Sequence, residues 1–302
     1  MSHDATPSAT PRTILLATDL GPRSDRALDR ALLLARHWNA RLIAVTVLDP
    51  DAAQTRDILA GSHPPAWYRA EEPEASARRQ LGDAAGTAGV QVTTRVEQGD
   101  VGEALLRIAQ AEDCDLIVTG VARHEILGRI ALGSTVEWLA RHSPVPVLAV
   151  RQRARHDYRN LLAASDFSDS SRHALESAAA MFPQAALSLL HGFDVPYLGL
   201  RDTGREDAIA QVAEQAKRDA DQFLRQLQLP ASDKPVRTIV ERGDPAYLVR
   251  LYAQQYPVDL VVLGSHGRSA LYDIVIGSVA RRILELAPVD TLIVRAPDAG
   301  GR

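Results

Sequence analysis

The sequence predicts an α/β protein made of two tandem Rossmann-like open sheets, each of five mostly parallel strands in the order 3-2-1-4-5 with helices on both faces. Three observations lead there: the length, a repeat that stays in register over nearly the whole chain, and the alternation of short apolar runs with helix-period segments inside each repeat. The chain has 302 residues, 46% hydrophobic and 24% charged, enough for two ordinary domains that each bury a core without a disulfide or a structural metal. Disordered, collagen-like and knottin-like chains are excluded by the same composition.

The repeat is read directly. Thr13-Ile14-Leu15-Leu16-Ala17-Thr18-Asp19 returns 147 residues later as Asn160-Leu161-Leu162-Ala163-Ala164-Ser165-Asp166. A Ser and an Ala-Leu pair follow each run at one offset, Ser24 with Ala27-Leu28 and Ser171 with Ala174-Leu175. Further on the offset is 144: Gly99-Asp100 matches Gly243-Asp244, Asp115 to Gly120 matches Asp259 to Gly264, Gly133-Ser134 matches Gly277-Ser278, and the register continues to Arg151 and Arg295. The halves are duplicates.

Each half opens on a short apolar strand that ends at Asp19 or Asp166. A helix follows, with Leu28, Ala31, Leu32 and Ala35 at the i, i+3, i+4, i+7 spacing of a buried face. The second strands are Arg41 to Leu48 and Leu187 to Phe193. Next, the second half has an amphipathic helix from about Glu206 to Leu227; its counterpart contains Pro73, Gly82, Gly86 and Gly89 and is expected to be shorter or broken. The third strands are Val90 to Glu97 and Val236 to Arg242. Asp244 then caps a helix with Pro245 at its first position, where a missing N–H costs nothing. The fourth strands end at Gly120 and Gly264, a helix follows each Gly-Ser, and a fifth strand closes each half at Val147 to Arg151 or Thr291 to Arg295. The domains so defined are 12–152 and 156–297, with residues 1–11 a disordered tail and Arg151 to Asp157 a charged linker.

The formal charge of −4 argues against a general nucleic-acid binder, which needs a basic face. Only Lys217 and Lys234 are lysines, both in segments that read as surface helix or loop, which disfavours Schiff-base chemistry and a phosphate-binding lysine. The single Cys114 cannot form an intramolecular bridge. Met1 to Pro11 lacks the apolar core of a signal peptide, and no run approaches the ~20 apolar residues of a membrane span, so a soluble, cytoplasmic protein is expected.

The informative stretch runs from Gly264 through Ser265, His266, Gly267 and Arg268 to Gly277-Ser278. It opens at a strand's carboxyl end and closes at a helix's amino end, where an open α/β sheet offers backbone N–H groups and a positive dipole to an anion. The glycines at 264, 267 and 277 would let the backbone approach phosphate oxygens and adopt positive φ where needed. Asp166 ends the neighbouring strand and suits a ribose hydroxyl or an adenine amine, with the phosphates at the Gly277-Ser278 end. Arg268 is the candidate mobile phosphate contact, since a guanidinium binds oxygen pairs.

These residues resemble the ATP-binding branch of the universal stress protein family, whose signature is Gly-x2-Gly-x9-Gly-Ser/Thr. Gly264, Gly267, Gly277 and Ser278 fit it without a mismatch. The resemblance covers the chain twice, from about Pro11 to Pro297, as in the tandem-domain subclass. Carried over residue by residue, it implies nucleotide contacts from Ala164, Asp166, Gly192, Leu263, Gly264, Ser265, Gly267, Gly277, Ser278 and Val279. It implies ATP as the ligand, with magnesium as its counter-ion. It further implies that the fifth strands, otherwise edges with an exposed ladder, pair with each other as an intramolecular pseudo-dimer. A homodimer or a protein partner is left open.

The first half departs from the signature. Gly120, Gly133, Ser134 and Asp19 keep the spacing, but Arg123 stands where the second glycine belongs. Arginine there strains the loop if positive φ is needed, and otherwise fills or flanks the phosphate space. The corresponding set, Asp19, Val47, Gly120, Gly133, Ser134 and Thr135, is therefore expected to bind nucleotide more weakly or not at all.

Each residue also has a plainer reading. Asp19 and Asp166 could build Asx turns or caps at the strand-to-helix junction. His191 and His266 lie near the crevice, but no His/Cys/Asp spacing of a metal site accompanies them, so packing or ligand-edge contacts are expected. Cys114 reads as a small buried residue, Trp67-Tyr68 as packing against the sheet or a lid, and Arg268 as a solvated loop side chain. The sequence has no Walker lysine motif and no Gly-x-Gly-x-x-Gly fingerprint. An ATP-binding regulatory module is the leading reading, with a slow ATP hydrolase or adenylyl-transferring enzyme in the same pocket, and a ligand-free scaffold, as alternatives. Isothermal calorimetry is expected to give one ATP per chain; two equal sites would contradict the reading of Arg123.

Overall fold

The structure is a computed structural model that describes residues 10–21, 24–48, 75–76, 78–79, 81–82, 89–121, 124–126, 129–131, 133–195, 204–232, 234–265 and 276–296. The chain divides into two compact units, one of Pro11–Val121 with Arg153–His156, the other of Met1–Thr10, Ala122–Gln152 and Asp157–Arg302. The last helix and strand of the first repeat thus belong to the same unit as the second repeat.

In the first unit the strands β1 (Thr13–Ala17), β2 (Arg41–Leu48), β3 (Val92–Gln98) and β4 (Leu116–Gly120) are all parallel, in the order β4-β1-β2-β3. Helix α1 (Asp25–Trp38) joins β1 to β2, and α2 (Val101–Ala111) joins β3 to β4, the crossovers that parallel pairing requires. The face α1 buries is Ala27, Arg30, Ala31, Leu34, Ala35 and Trp38, turned by one residue from the expected one. Arg30 lies on the buried side, where its Nη1 donates to the His156 carbonyl at 2.8 Å, while Leu28 and Leu32 are half-buried.

The second unit contains a hairpin of β5 (His124–Ile126) and β6 (Arg129–Ala131), then α3 (Ser134–His142) and β7 (Val147–Val150). The second repeat follows: β8 (Asn160–Ala164), α4 (Asp169–Met181), β9 (Ala186–Phe193), α5 (Arg205–Gln226), β10 (Arg237–Arg242), α6 (Pro245–Gln255), β11 (Leu260–Gly264), α7 (Ser278–Leu286) and β12 (Asp290–Val294). Its order is β10-β9-β8-β11-β12, all parallel, as the repeat predicts, and β7 adds antiparallel to β12. The hairpin lies where the sequence predicts only a loop. The central strands are fully buried, whereas β3 and β10 alternate or lie half-exposed, so the doubly covered character holds for the middle of each sheet.

The same local devices recur in both repeats. Asp115 Oδ2 accepts the Arg12 and Thr13 amides at 2.7 and 3.0 Å, and Asp259 Oδ2 accepts the Arg159 and Asn160 amides at 2.8 and 2.9 Å. Each carboxylate, just ahead of the fourth strand, pins the start of the first. Gly99 and Gly243 have φ of +115° and +146°, a region that side chains rarely enter, and this turns the chain into the caps Asp100 and Asp244, whose carboxylates accept from Glu103 and Tyr247 amides.

The charged linker, Arg151 to Asp157, is anchored at its start. Antiparallel pairing brings the beginning of β12 beside the end of β7. Asp290, 0% exposed, accepts the Arg151 and Gln152 amides at 2.7 and 2.8 Å on Oδ1 and the Tyr158 hydroxyl at 2.6 Å on Oδ2. The Arg151 guanidinium is buried as well and donates to the Leu284 carbonyl. Pro11, placed in the tail by the sequence reading, is buried; residues 1–9 lie outside the described residues, as does most of the first-half connection between the second and third strands. Asp290→Ala strands three donors and is expected to lower unfolding stability by about 3 kcal/mol, against about 1 kcal/mol for Tyr158→Phe, in chemical denaturation.

Candidate functional site

The second repeat splays open where β8 and β11 end. Their pairing stops at Ala163 with Val262. Beyond it the Ser165 amide turns outward to the Leu190 carbonyl of β9, and the Ser265 amide turns the other way to the Val294 carbonyl of β12, both at 3.0 Å. Two neighbouring strands whose next amides serve opposite neighbours leave a crevice between them, the switch point of an open sheet.

A cavity of about 340 Å³ fills that crevice, in the size range of small-molecule sites. Eight of the predicted residues line it: Ala164, Asp166, Gly192, Leu263, Gly264, Gly277, Ser278 and Val279. Ser165, Ser171, Leu190, His191, Pro245, Ala280 and Ile283 complete the wall. Of these only His191 is placed near the crevice by sequence; Ala280 and Ile283 could have been found as the inward positions of a helix starting at Ser278. Ser265 does not line the cavity. It is 0% exposed, and its carbonyl accepts the Gly277 amide at 3.0 Å, which holds the two ends of the long loop together. Gly267, Arg268 and His266 lie outside the described residues, as do Arg123, Trp67 and Tyr68.

The turn after β8 gives Asp166 a structural role. Its Oδ1 accepts from the Ser168 amide at 3.1 Å and from the Ser171 hydroxyl at 2.7 Å, while Phe167 takes a φ of +63°. In the first repeat Asp19 Oδ1 accepts from the Gly21 amide at 2.9 Å and the Ser24 hydroxyl, and Leu20 takes a φ of +58°. The plain reading of both aspartates as turn builders is therefore realised, and Asp166 builds its turn in the cavity wall. Ser168 caps α4 through the Ser171 amide.

His191 is held on two sides. Its Nδ1 lies 2.8 Å from the Ser165 carbonyl, and its ring stacks on Phe167 at 4.2 Å between centroids; Phe167 in turn touches Phe223 of α5 at 5.4 Å. A carbonyl is an acceptor only, so Nδ1 carries the proton that makes this bond.

Two glycines of the wall are there for close packing. A Cβ on Gly264 would sit 2.6 Å from Ser170 Oγ and 2.9 Å from the Ser170 carbonyl carbon; one on Gly192 would sit 3.0 Å from the Gly243 carbonyl oxygen and 3.1 Å from Pro245 Cγ. Positive φ is not used at either position: neither Gly264 nor Gly277 is among the positive-φ glycines, and Gly277 has a φ of −58°. The contact of α4 with β11 replaces backbone freedom as the reason for Gly264.

The amino end of α7 enters the cavity wall at Gly277, Ser278, Val279 and Ala280, and its N-cap residue, Gly277, offers no capping side chain. Its first N–H groups and its dipole are thus available to an anion. Arg282 Nη1 reaches Asp244 Oδ2 at 2.7 Å, tying α7 to the start of α6 beside the cavity. Among the described residues no group of three His, Cys, Asp or Glu side chains could hold a metal ion. Cys114 is buried, and burial pushes its thiol up to about 12, which makes it inert.

Of the first-repeat set, Asp19, Val47 and Gly120 belong to the first compact unit, and Gly133, Ser134 and Thr135 to the second. Among the described residues no helix is long and apolar enough to cross a membrane.

A sequence model of the universal stress protein family matches residues 10–151 and again 157–295. A universal stress protein of Mycolicibacterium smegmatis is 29% identical over 311 aligned residues, covering 95% of this chain and 98% of its own. The universal stress protein YxiE of Bacillus subtilis is 33% identical over 147 residues, 46% of this chain and 99% of its own. Among solved structures, a universal stress protein of Archaeoglobus fulgidus superposes with a TM-score of 0.64 at 17% identity, covering 94% of this chain and 98% of its own, a likeness of fold.

Gly264→Ala is expected to destabilise the chain by about 2 kcal/mol, read as a shift in the denaturation midpoint with nothing bound, because the added methyl meets helix backbone.

Proposed function

The chain belongs to the universal stress protein family, and from that premise we propose that its second repeat binds an adenine nucleotide, ATP, in the cavity at the end of β8 and β11, and acts as a regulatory module that reports nucleotide occupancy. The observation that carries this reading is the amino end of α7, with glycine at its N-cap, in the wall of a 340 Å³ cavity. Phosphate oxygens suit the amides of Ser278 and Val279 and the Ser278 hydroxyl, where the helix dipole favours negative charge. The Asp166 carboxylate repels phosphates and attracts hydroxyl or amine donors, so the ribose or base belongs on its side. Leu190, Leu263 and Ile283 supply the apolar surface against which a base desolvates. Magnesium accompanies the nucleotide as a counter-ion of its phosphates, since the described residues offer no carboxylate cluster to hold it. The predicted contacts Gly267 and Arg268 join this set as the glycine and the guanidinium of the phosphate loop. A cytoplasmic location goes with a nucleotide-responsive module.

Val279→Glu separates binding from folding. Val279 is 44% exposed in the first turn of α7, where a carboxylate favours the helix dipole yet repels phosphate. In calorimetric titration ATP is expected to bind the wild-type chain and to bind the variant at least about tenfold more weakly, with no loss of melting temperature in the unliganded variant. Absence of heat and of any thermal shift with ATP and magnesium overturns the reading, as does equal affinity in the variant.

A further inference from the structure

The seam between β7 and β12 is symmetric in the repeat. Leu148 pairs with Leu292, and these are the same repeat position, 144 residues apart. On either side Val147 meets Ile293 and Ala149 meets Thr291, an exchange of equivalent positions that defines an isologous contact. The flanking arginines follow suit: Arg151 donates to the Leu284 carbonyl in the last turn of α7, and Arg295 Nη1 donates to the Arg141 carbonyl in the last turn of α3 at 2.9 Å. Backbone pairing alone would accept two first repeats, or two second repeats, as readily as one of each.

Side-chain charge on the helices breaks that symmetry. Positions 137 and 281 are equivalent in the repeat and carry Glu and Arg; positions 141 and 285 are equivalent and carry Arg and Glu. Glu137 Oε1 lies 3.6 Å from Arg281 Nη1 between α3 and α7, Glu137 also takes Arg141 one turn along, and Arg281 Nε reaches Glu285 at 3.2 Å. The result is a row of alternating sign, Arg141, Glu137, Arg281, Glu285. Facing two first repeats would set Glu137 against Glu137, and facing two second repeats would set Arg281 against Arg281. Glu137, with its side chain 21% exposed, is shielded enough for such a juxtaposition to matter.

We propose that this charge row selects the partner of the seam: the α3 face fits the reversed-charge α7 face of the other repeat and rejects a second copy of itself, so that the chain closes on itself instead of pairing like with like between molecules. The test uses the full chain with Glu137→Arg, Arg281→Glu and the double reversal. Neither residue lines the nucleotide cavity. Each single reversal is expected to lower the melting temperature by about 1–4 °C, and the double reversal, which restores the pair between α3 and α7 while setting like charges one turn apart at 137 and 141 and at 281 and 285, to lower it by clearly less than the sum of the two. The differences are expected to vanish near 1 M salt, where screening acts within about 3 Å. Single reversals without effect, or losses that simply add in the double variant, overturn the proposal. A chain with Glu137→Gln and Arg281→Gln removes the like-charge penalty, and its molar mass by light scattering is expected to rise with concentration above that of wild type. Identical mass profiles overturn the rejection of a second copy.

Discussion

A parallel open sheet ends in a strand with one unpaired ladder, and the way that ladder is covered controls much else in this protein. Strand β7 of the first repeat covers β12 of the second. With β12 held, the Val294 carbonyl stands where the Ser265 amide can bond to it, and the Ser265 carbonyl stands where the Gly277 amide can bond in turn. The amino end of α7 then starts at a determined point beside the crevice. A seam formed by repeat one therefore positions the cavity-facing helix end of repeat two, through hydrogen bonds that are all backbone to backbone. Asp290 closes the arrangement by tying the end of β7 and Tyr158 to the start of β12.

The two repeats are equal in their scaffolding. The aspartate turns at 19 and 166, the left-handed residues Leu20 and Phe167, the strand-start carboxylates 115 and 259, and the positive-φ glycines 99 and 243 superimpose position by position. Duplication preserved whatever the sheet needs at its turns. Differences collect where strands face something outside their own repeat: Asp290 stands where the first repeat has Pro146, and the helices before the last strands carry opposite charges.

Much of this was legible in the sequence because the fold repeats itself. The order of β8 to β12 follows from alternating strands and helices plus handedness, and the cap at Asp244-Pro245 follows from local chemistry alone. Strand ends moved by a residue or two, as where Asp290 joins β12 ahead of Thr291, because ladder partners, not apolar runs, decide where pairing begins. The buried face of α1 was misread by one residue: it includes Arg30, whose guanidinium donates to a carbonyl 126 residues away, a position that an apolar periodicity passes over. Of the eight predicted cavity residues, Asp166, Gly264, Gly277 and Ser278 were read from the glycine spacing and the duplicated aspartate, and Ala164, Gly192, Leu263 and Val279 were implied by the family resemblance. Ser165, Ser171 and Leu190 were not predicted, since their place in the wall depends on where β8 and β11 part. The β5–β6 hairpin was invisible because neither of its strands has the length or the apolar run that marks one.

The close approach of α4 to Gly264 bears on how much a motif can testify. A glycine that a helix backbone already demands would persist in a descendant that had lost its ligand, since any side chain at that position collides with Ser170. In this architecture the first glycine of the signature is a witness to the packing of the sheet, and the diagnostic weight for a bound phosphate rests on the glycines and the hydroxyl that follow it.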